Sequence, residues 1–248
     1  MLKNSSESKK PLVSFVIRTK NEARWIGKVL EALNQQTLKN FETVIVDSGS
    51  TDKTLEIIRK FPIKLILIKP EEFNYSYALN IGINKARGEI ICIISGHSLP
   101  ISKTWLEDGL KNFKNPKVAA VNGYYSSLPI SYYSGKLGEL LFNLHGLKRK
   151  NFCPWMTNTS ALIRRILWQK YPFDEKLPEC EDYDWAYEMI ARGYNVIKDP
   201  KFSVFHSHCY LGRPGYLRKL PQWKKICAFI DKRKRPRKSF TRIKINLC

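Results

Sequence analysis

The chain has 248 residues, 43% of them hydrophobic and 12% aromatic, which suits one large α/β domain or two small ones and excludes a disordered or fibrous chain. No run approaches the ~20 apolar residues that span a bilayer, and the polar stretch Met1–Lys10 has no apolar segment of the kind a secretory signal needs. Net charge is +21, and thirteen Lys/Arg against one acid crowd into 211–248, so that end is expected to meet an anionic membrane surface, a nucleic acid or only solvent.

Six cysteines (Cys92, Cys153, Cys180, Cys209, Cys227, Cys248) contain no CxxC pair. Scattered thiols without a signal peptide point to a reducing cytosol, with Cys92 as core packing.

In chain order, 12–17 reads as a strand and 18–22 as a loop. Ile26, Val29, Leu30 and Leu33 fall at helical spacing, which predicts a helix over 22–36. A strand over 41–46 leads into the loop Asp47-Ser48-Gly49-Ser50-Thr51-Asp52, whose Gly permits a turn and whose polar residues cap a helix over 53–60. A third strand is predicted at 64–68. A helix over 75–87 follows, with Gly88 at its C-terminal cap. The run Ile90-Ile91-Cys92-Ile93-Ile94 then reads as a strand buried on both faces, because five consecutive apolar residues leave no polar side for water.

Strands alternating with helices imply βαβ units and a parallel sheet. Ligands of such sheets bind at the carboxyl ends of strands. Ser95, Gly96, His97 and Ser98, with the loops 18–22 and 47–52, should therefore open on one cleft.

Further on, Trp105, Leu106, Leu110 and Phe113 mark a helix, 118–125 a strand, Leu137, Leu140, Leu141 and Leu144 a helix, 148–150 a basic loop, and 157–163 a short strand. A helix opens at 178–185 and ends at Gly193. Strands are predicted at 194–197 and 203–208. In the tail, Trp223, Ile226, Cys227 and Ile230 make one apolar stripe, Pro221 is expected to start that helix, and 232–238 is a charge run.

Four blocks carry a resemblance: Val13 to Glu22 (VSFVIRTKNE), Val44 to Asp52 (VIVDSGSTD), Ala78 to Glu89 (ALNIGINKARGE) and Glu181 to Ala186 (EDYDWA). In this order and spacing they resemble family 2 glycosyltransferases of the GT-A fold, over about residues 11–210. Phe73-Asn74 and Leu99-Pro100 are nearest in feel to bacterial rhamnosyltransferase-like members. The resemblance implies a Rossmann-like, mostly parallel twisted sheet flanked by helices, here with a basic C-terminal helical tail. It also implies a nucleotide-sugar donor, a divalent metal (Mn²⁺ or Mg²⁺) and inversion at the sugar carbon. Thr19 and Glu22 match the first-strand loop beside the nucleotide. Asp47 matches the carboxylate that receives the donor's base, and an acceptor-only Asp suits N3–H of uracil or thymine, hence a UDP- or dTDP-sugar. For Asp52, helix capping is the favoured role.

Two positions depart from the family. Leu79 stands where an Arg is frequent, so a base or phosphate contact must come from elsewhere. Ser95-Gly96-His97 stands where the acidic metal motif is expected. His97 then has three readings: an imidazole ligand for a transition metal, a protonated partner of the diphosphate, or an ordinary turn histidine. His206 and His208 lie two apart on a predicted strand, so both point one way and are candidates to complete a metal site, against the reading of a solvent-edge pair. A zinc site from His206, His208 and Cys209 is a further option.

Single displacement needs a base at the acceptor hydroxyl and positive charge or dipoles at the leaving phosphate. Asp182 matches the base of the family and Glu181 a residue that positions it or the acceptor. Acids at a helix start also serve the dipole alone. Neighbouring helix positions diverge, so the two carboxylates are expected to have different partners. Asp184 and Trp185 are expected to pack or to line the acceptor side.

The expected layout is a disordered 1–10, a nucleotide-sugar-binding half over 11–100, an acceptor-binding half over 101–210, and a basic amphipathic tail over 211–248. The expected enzyme moves a sugar to a hydroxyl of a lipid-linked or surface-polysaccharide acceptor. It would work in the cytoplasm or on the cytoplasmic membrane face, where the tail meets anionic lipid. The alternatives are a catalytically inactive nucleotide-sugar binder and a basic nucleic-acid-binding protein. No RNA or DNA motif is present, so nucleic acid is not an expected partner.

Overall fold

The structure, a computed structural model, describes residues 10–126, 151–152, 155–206 and 215–234. Strand β1 (Val13–Thr19) pairs in parallel with β2 (Phe41–Asp47) on one side and β4 (Ile90–Ile94) on the other, and β2 pairs with β3 (Lys64–Leu67). Helices α1 (Ile26–Asn34), α2 (Thr54–Ile58) and α3 (Tyr75–Lys85) make the crossovers. The sheet continues past β4 through β9 (Ser160–Arg164), β6 (Val118–Asn122), β10 (Asn195–Lys198) and β8 (Asn151–Phe152), giving the order β3-β2-β1-β4-β9-β6-β10-β8. A second, three-stranded sheet joins β5 (Ser98–Pro100), β11 (Val204–His206) and β7 (Tyr125–Ser126). Helices α4 (Trp105–Leu110), α5 (Arg165–Lys170), α6 (Glu181–Ala191) and α7 (Gly215–Lys234) complete the described elements.

All five residues of β4 are buried because both faces of the sheet are covered. Ile90, Cys92 and Ile94 meet α1 and Trp105; Ile91 and Ile93 meet Leu79 and Ile83 of α3 and Trp185 and Met189 of α6. Cys92 is fully buried, as expected of a core thiol. Leu79 is likewise core, which explains an apolar side chain there.

Several boundaries differ from the sequence reading. The first helix begins at Ile26, not at residue 22: the Glu22 carbonyl accepts from Trp25 and Ile26 N–H in a turn, and the Glu22 side chain is left to bond His97. Helix α3 stops at Lys85 with Ala86 already extended, so Gly88 is not its cap. Gly88 is instead a crossing point, where a Cβ would lie 2.6 Å from the Ser14 backbone nitrogen. The strand predicted over 118–125 splits between the two sheets at Gly123, which packs on the Phe202 carbonyl too closely for any side chain. The sheet is mixed: β9 runs antiparallel to both β4 and β6. A strand buried on both faces carries no periodicity that reveals its direction. Pro221 lies inside α7 and does not start it. The expected helix at 137–144, the loop at 148–150, and His208, Cys209, Cys153 and Cys248 lie outside the described residues.

Candidate active site

Parallel β1 and β2 end side by side with Thr19 opposite Asp47, so the loops after them leave the same edge. The two loops are stitched together. Glu22 N–H donates to Thr54 Oγ1 (2.7 Å), Thr51 N–H to Asn21 Oδ1 (2.8 Å) and Ala23 N–H to Asp52 Oδ2 (3.1 Å). Asp52 Oδ1 also takes the Thr54 N–H (2.9 Å), which fits the capping role expected of it. The Asp47 carboxylate is fully buried and accepts four bonds from its own surroundings: Gly49 and Ser50 N–H on Oδ1, and the Thr19 and Ser50 hydroxyls on Oδ2. Its lone pairs are filled, so in this structure Asp47 shapes the loop and offers no free oxygen to a base.

The 95–98 corner closes with Ser98 N–H on the Ser95 carbonyl (3.0 Å). Gly96 lets it press on the first loop, since a Cβ there would lie 3.2 Å from Glu22 Cγ and 3.3 Å from Thr19 Cγ2. His97 Nδ1 and Glu22 Oε1 share a hydrogen bond of 2.7 Å. The His97 ring stacks on His206 at 4.6 Å between centroids and 26° between planes. His206 is buried and shares a 2.8 Å hydrogen bond with Ser98 Oγ through Nδ1. Imidazole lone pairs lie in the ring plane, and two nearly parallel stacked rings do not aim theirs at one ion. Among the described residues, no group of three His, Cys, Asp or Glu is placed to hold a metal. Of the expected set His97, His206 and His208, His97 shares its Nδ1 with Glu22 and His206 its Nδ1 with Ser98, and His208 lies outside the described residues.

The acid pair stands at the head of α6. Glu181 is buried; its Oε1 accepts from Asn158 Nδ2 (2.9 Å) and lies 3.4 Å from Arg18 Nη1. Asp182 Oδ2 accepts the Asn158 N–H (3.1 Å) and Oδ1 the Tyr183 N–H (2.8 Å). Burial, and then the neighbouring Glu181 charge, push the Asp182 carboxyl up to about 7, against those two N–H bonds and the Arg18 charge. The expectation of separate partners fails here: Asn158 serves both carboxylates, one by its backbone and one by its side chain. Ser95 N–H donates to the Thr159 carbonyl (3.2 Å), so the segment that holds the acid pair is bonded to the 95–98 corner.

Arg18, one residue before Thr19, also donates to the Tyr75 carbonyl (2.9 Å) and lies over the Tyr75 ring at 4.8 Å. Lys219 of α7 approaches the same ring from 5.4 Å and pairs with Glu179 at 2.5 Å. The apolar stripe of the tail turns inward. Ile230 is fully buried, and Ile226 and Cys227 pack with Leu177, Tyr183, Trp155 and Cys180. Trp223 donates to Glu179, and Tyr183 donates to Asp231 at 2.7 Å. Arg233 and Lys234 pair with Asp184, which is fully buried, at 2.6 and 2.9 Å. Asp184 and Trp185 thus pack inside the domain and do not line an acceptor path.

Thr19, Glu22, Asp47, Ser95, Gly96, His97 and His206 come together as the sequence suggested, with Glu181 and Asp182 joined to them through Arg18, Thr159 and Asn158. Asn158, Arg18 and Lys219 were missed. The polar run Thr157-Asn158-Thr159-Ser160 before an apolar strand was the available signal.

The Glycosyl transferase family 2 model matches residues 14–175. The chain is 27% identical over 221 residues to the O-antigen chain rhamnosyltransferase WbaN of Salmonella anatum, covering 84% of this chain and 70% of that one. It is 36% identical over 197 residues to the glycosyltransferase AglE of Haloferax volcanii, covering 75% of this chain and 64% of that one. Among solved structures, the mannosyltransferase PcManGT of Pyrobaculum calidifontis, in complex with GDP-Man and Mn²⁺, superposes with a TM-score of 0.65 at 23% identity, over 83% of this chain and 59% of that chain. An acid pair bonded through Asn158 and Thr159 to the corner at the carboxyl end of β4 in a GT-A sheet, and a match across most of the domain, lead to one assignment: the chain belongs to glycosyl transferase family 2 and is a glycosyltransferase.

Proposed function

We propose that this enzyme moves a sugar from a nucleotide-sugar donor to a hydroxyl of a lipid-linked or surface-polysaccharide acceptor, with inversion, in one displacement. The observation that carries the reading is Asp182 at the head of α6: its carboxylate takes the Asn158 N–H, and the next residue, Thr159, holds the 95–98 corner where the donor would lie. The nucleotide rests on the loops after β1 and β2, and the diphosphate lies at the 95–98 corner. The acceptor oxygen attacks the anomeric carbon while the bond to the diphosphate breaks. Asp182 takes the acceptor's proton. Burial raises the affinity of this carboxyl for a proton, which makes it a stronger base than an exposed Asp. Negative charge grows on the departing phosphate, and Arg18, which lies beside the acid pair, is the cation we assign to oppose it. Arg18 thereby fills the need left open by Leu79. The described residues do not assemble a metal site, and no step here is routed through one.

Support for the acceptor class comes from the relatives: WbaN is named as an O-antigen chain transferase. No described helix is long and apolar enough to cross a membrane. The outer face of α7 carries exposed Lys224, Lys225 and Lys232 with Phe229, which is 56% exposed, and we assign this face to the anionic lipid surface on which such an acceptor sits. The work would then be done at the cytoplasmic membrane face. The test is nucleotide release from a panel of UDP-, dTDP- and GDP-sugars with a lipid-linked saccharide. Transfer that Asp182→Asn abolishes supports the reading; transfer that survives the substitution overturns it, and an intact protein that binds nucleotide but never transfers marks a binder.

A further inference from the structure

Cys180 and Cys227 are free thiols that meet where the tail packs on the domain. Cys180 stands immediately before α6, and Cys227 lies within α7 on the stripe that turns inward. The Cys180 S–H donates to the Cys227 sulfur, so the two side chains face one another between the helices. Both residues are half-buried and within reach of a small reagent, whereas Cys92 is fully buried and closed to one. Cys180 also holds a left-handed backbone, at φ 69° and ψ 27°, which costs a side chain more than it costs Gly. A cap chosen for the turn alone would be Gly or Asn. Packing beside Leu177 and Ile230 calls for no sulfur at either position, and no step of the transfer uses one.

We propose that Cys180 and Cys227 form a thiol–disulfide modification site that ties the tail helix to the head of α6 and slows transfer when closed. The oxidant is a low-molecular-weight disulfide. The Cys227 thiolate attacks one of its sulfurs, which forms a mixed disulfide and releases one small thiolate. The Cys180 thiolate then attacks Cys227 Sγ, and the second small thiolate leaves. The two protons lost by the cysteines end on the two small thiolates, so two protein thiols and one small disulfide become one protein disulfide and two small thiols. The contact sets the order: the bond from Cys180 holds the Cys227 thiol below its usual value, against burial, and the thiolate is the attacking form. A disulfide brings its sulfurs to about 2.05 Å, closer than a hydrogen bond does, so closure draws Cys180 toward α7. Asp182 stands two residues on, and the Cys180 carbonyl accepts the Asp184 N–H at 3.1 Å. Glu181 and Asp182 in that same turn hold Asn158, so closure shifts the acid pair against the 95–98 corner. The inference rests on the Asp182 reading and adds a control of that site.

The test uses the full chain, reduced and then equilibrated with oxidised glutathione well below its thermal midpoint, so that only the folded chain reacts. Cys180→Ser and Cys227→Ser are treated in parallel. Peptide mapping by mass spectrometry without reduction should find Cys180 linked to Cys227, with that pair absent from both variants and opened by dithiothreitol. The kcat of transfer should fall at least about threefold as the bridge forms and return on reduction, while Cys227→Ser keeps the reduced wild-type rate under both conditions. The proposal is overturned if both cysteines stay free, if they pair with Cys153, Cys209 or Cys248 instead, or if the bridge forms with a smaller loss of rate. Asp182→Asn, assayed reduced, separates the failures. If it retains transfer, the base assignment is wrong. If it is inactive while the wild-type cysteines fail to bridge, or bridge without slowing transfer, only the thiol site is wrong.

Discussion

Replacing Asp182 by Asn should change how stability depends on pH, in a direction set by burial. The folded chain holds the Asp182 proton up to about pH 7, whereas an unfolded chain loses it near 3.8. Between those values the folded state binds more protons than the unfolded one, so stability falls as pH rises through the window and is flat above it. Three pKa units correspond to about 4 kcal/mol, and screening at the cleft surface about halves this, to ~2 kcal/mol. For a domain of this size that is roughly 4–8 °C of thermal midpoint. Asn offers one acceptor where the carboxylate offered two, so either the Asn158 or the Tyr183 N–H loses its partner, at about 1 kcal/mol at every pH. The comparison is therefore between slopes: from pH 4 to 7 the wild type should lose the 4–8 °C relative to the variant. Differential scanning fluorimetry in matched-ionic-strength buffers reads this without any substrate. Parallel profiles would refute the claim that burial lifts this carboxyl, and with it the case for a base tuned to neutral pH.

Glu42 should show the opposite sign. Burial opposes its charge, but bonds from Lys64, Ser14 and Arg87 outweigh burial and hold it at about 2, so its contribution is present above pH 4.5 and lost as pH falls toward 2. Glu42→Gln should therefore cost about 2 kcal/mol at pH 7 and nothing near pH 2, by urea denaturation at both pH values. Removing Arg233 and Lys234 together strands a fully buried Asp184 and should cost about 3–5 kcal/mol, most of it recovered in an Asp184→Asn background; a cost that persists there would show that the cations matter for another reason. Gly88→Ala should destabilise by about 2 kcal/mol or more because its Cβ meets backbone, whereas a simple helix cap would lose about 1. Reversing Lys224, Lys225 and Lys232 to Glu should abolish sedimentation with anionic vesicles while leaving the thermal midpoint within 2 °C, since each lysine near such a surface contributes about 1 kcal/mol.

The first half of the fold was legible because its signals are local. A buried five-residue strand, a Gly-Ser-Thr-Asp loop and a helix stripe every three or four residues each name their own element. The donor edge followed from parallel strands ending together. What the residues hid was non-local. The reversed direction of β9 leaves no trace in a strand covered on both faces. The tail stripe at Trp223, Ile226, Cys227 and Ile230 has the period of a lipid-facing helix, yet it lies against α6, and periodicity does not say which apolar surface receives it. Asp47 was expected to reach outward to a base, but four neighbouring donors claim it. Asn158 was passed over because a single amide in a polar run acquires meaning only when two acids 23 and 24 residues further along the chain fold onto it.

One reversed strand has a consequence for how such a cleft can diversify. Parallel strands contribute only their finishing ends to this edge, and in the proposed reaction those finishing ends cradle the nucleotide. β9 enters the sheet from that same rim, so the residues leading into it arrive from outside the repeating pattern. Chemistry at the acceptor can change by editing that incoming segment, with the cradle for the activated sugar left as it is.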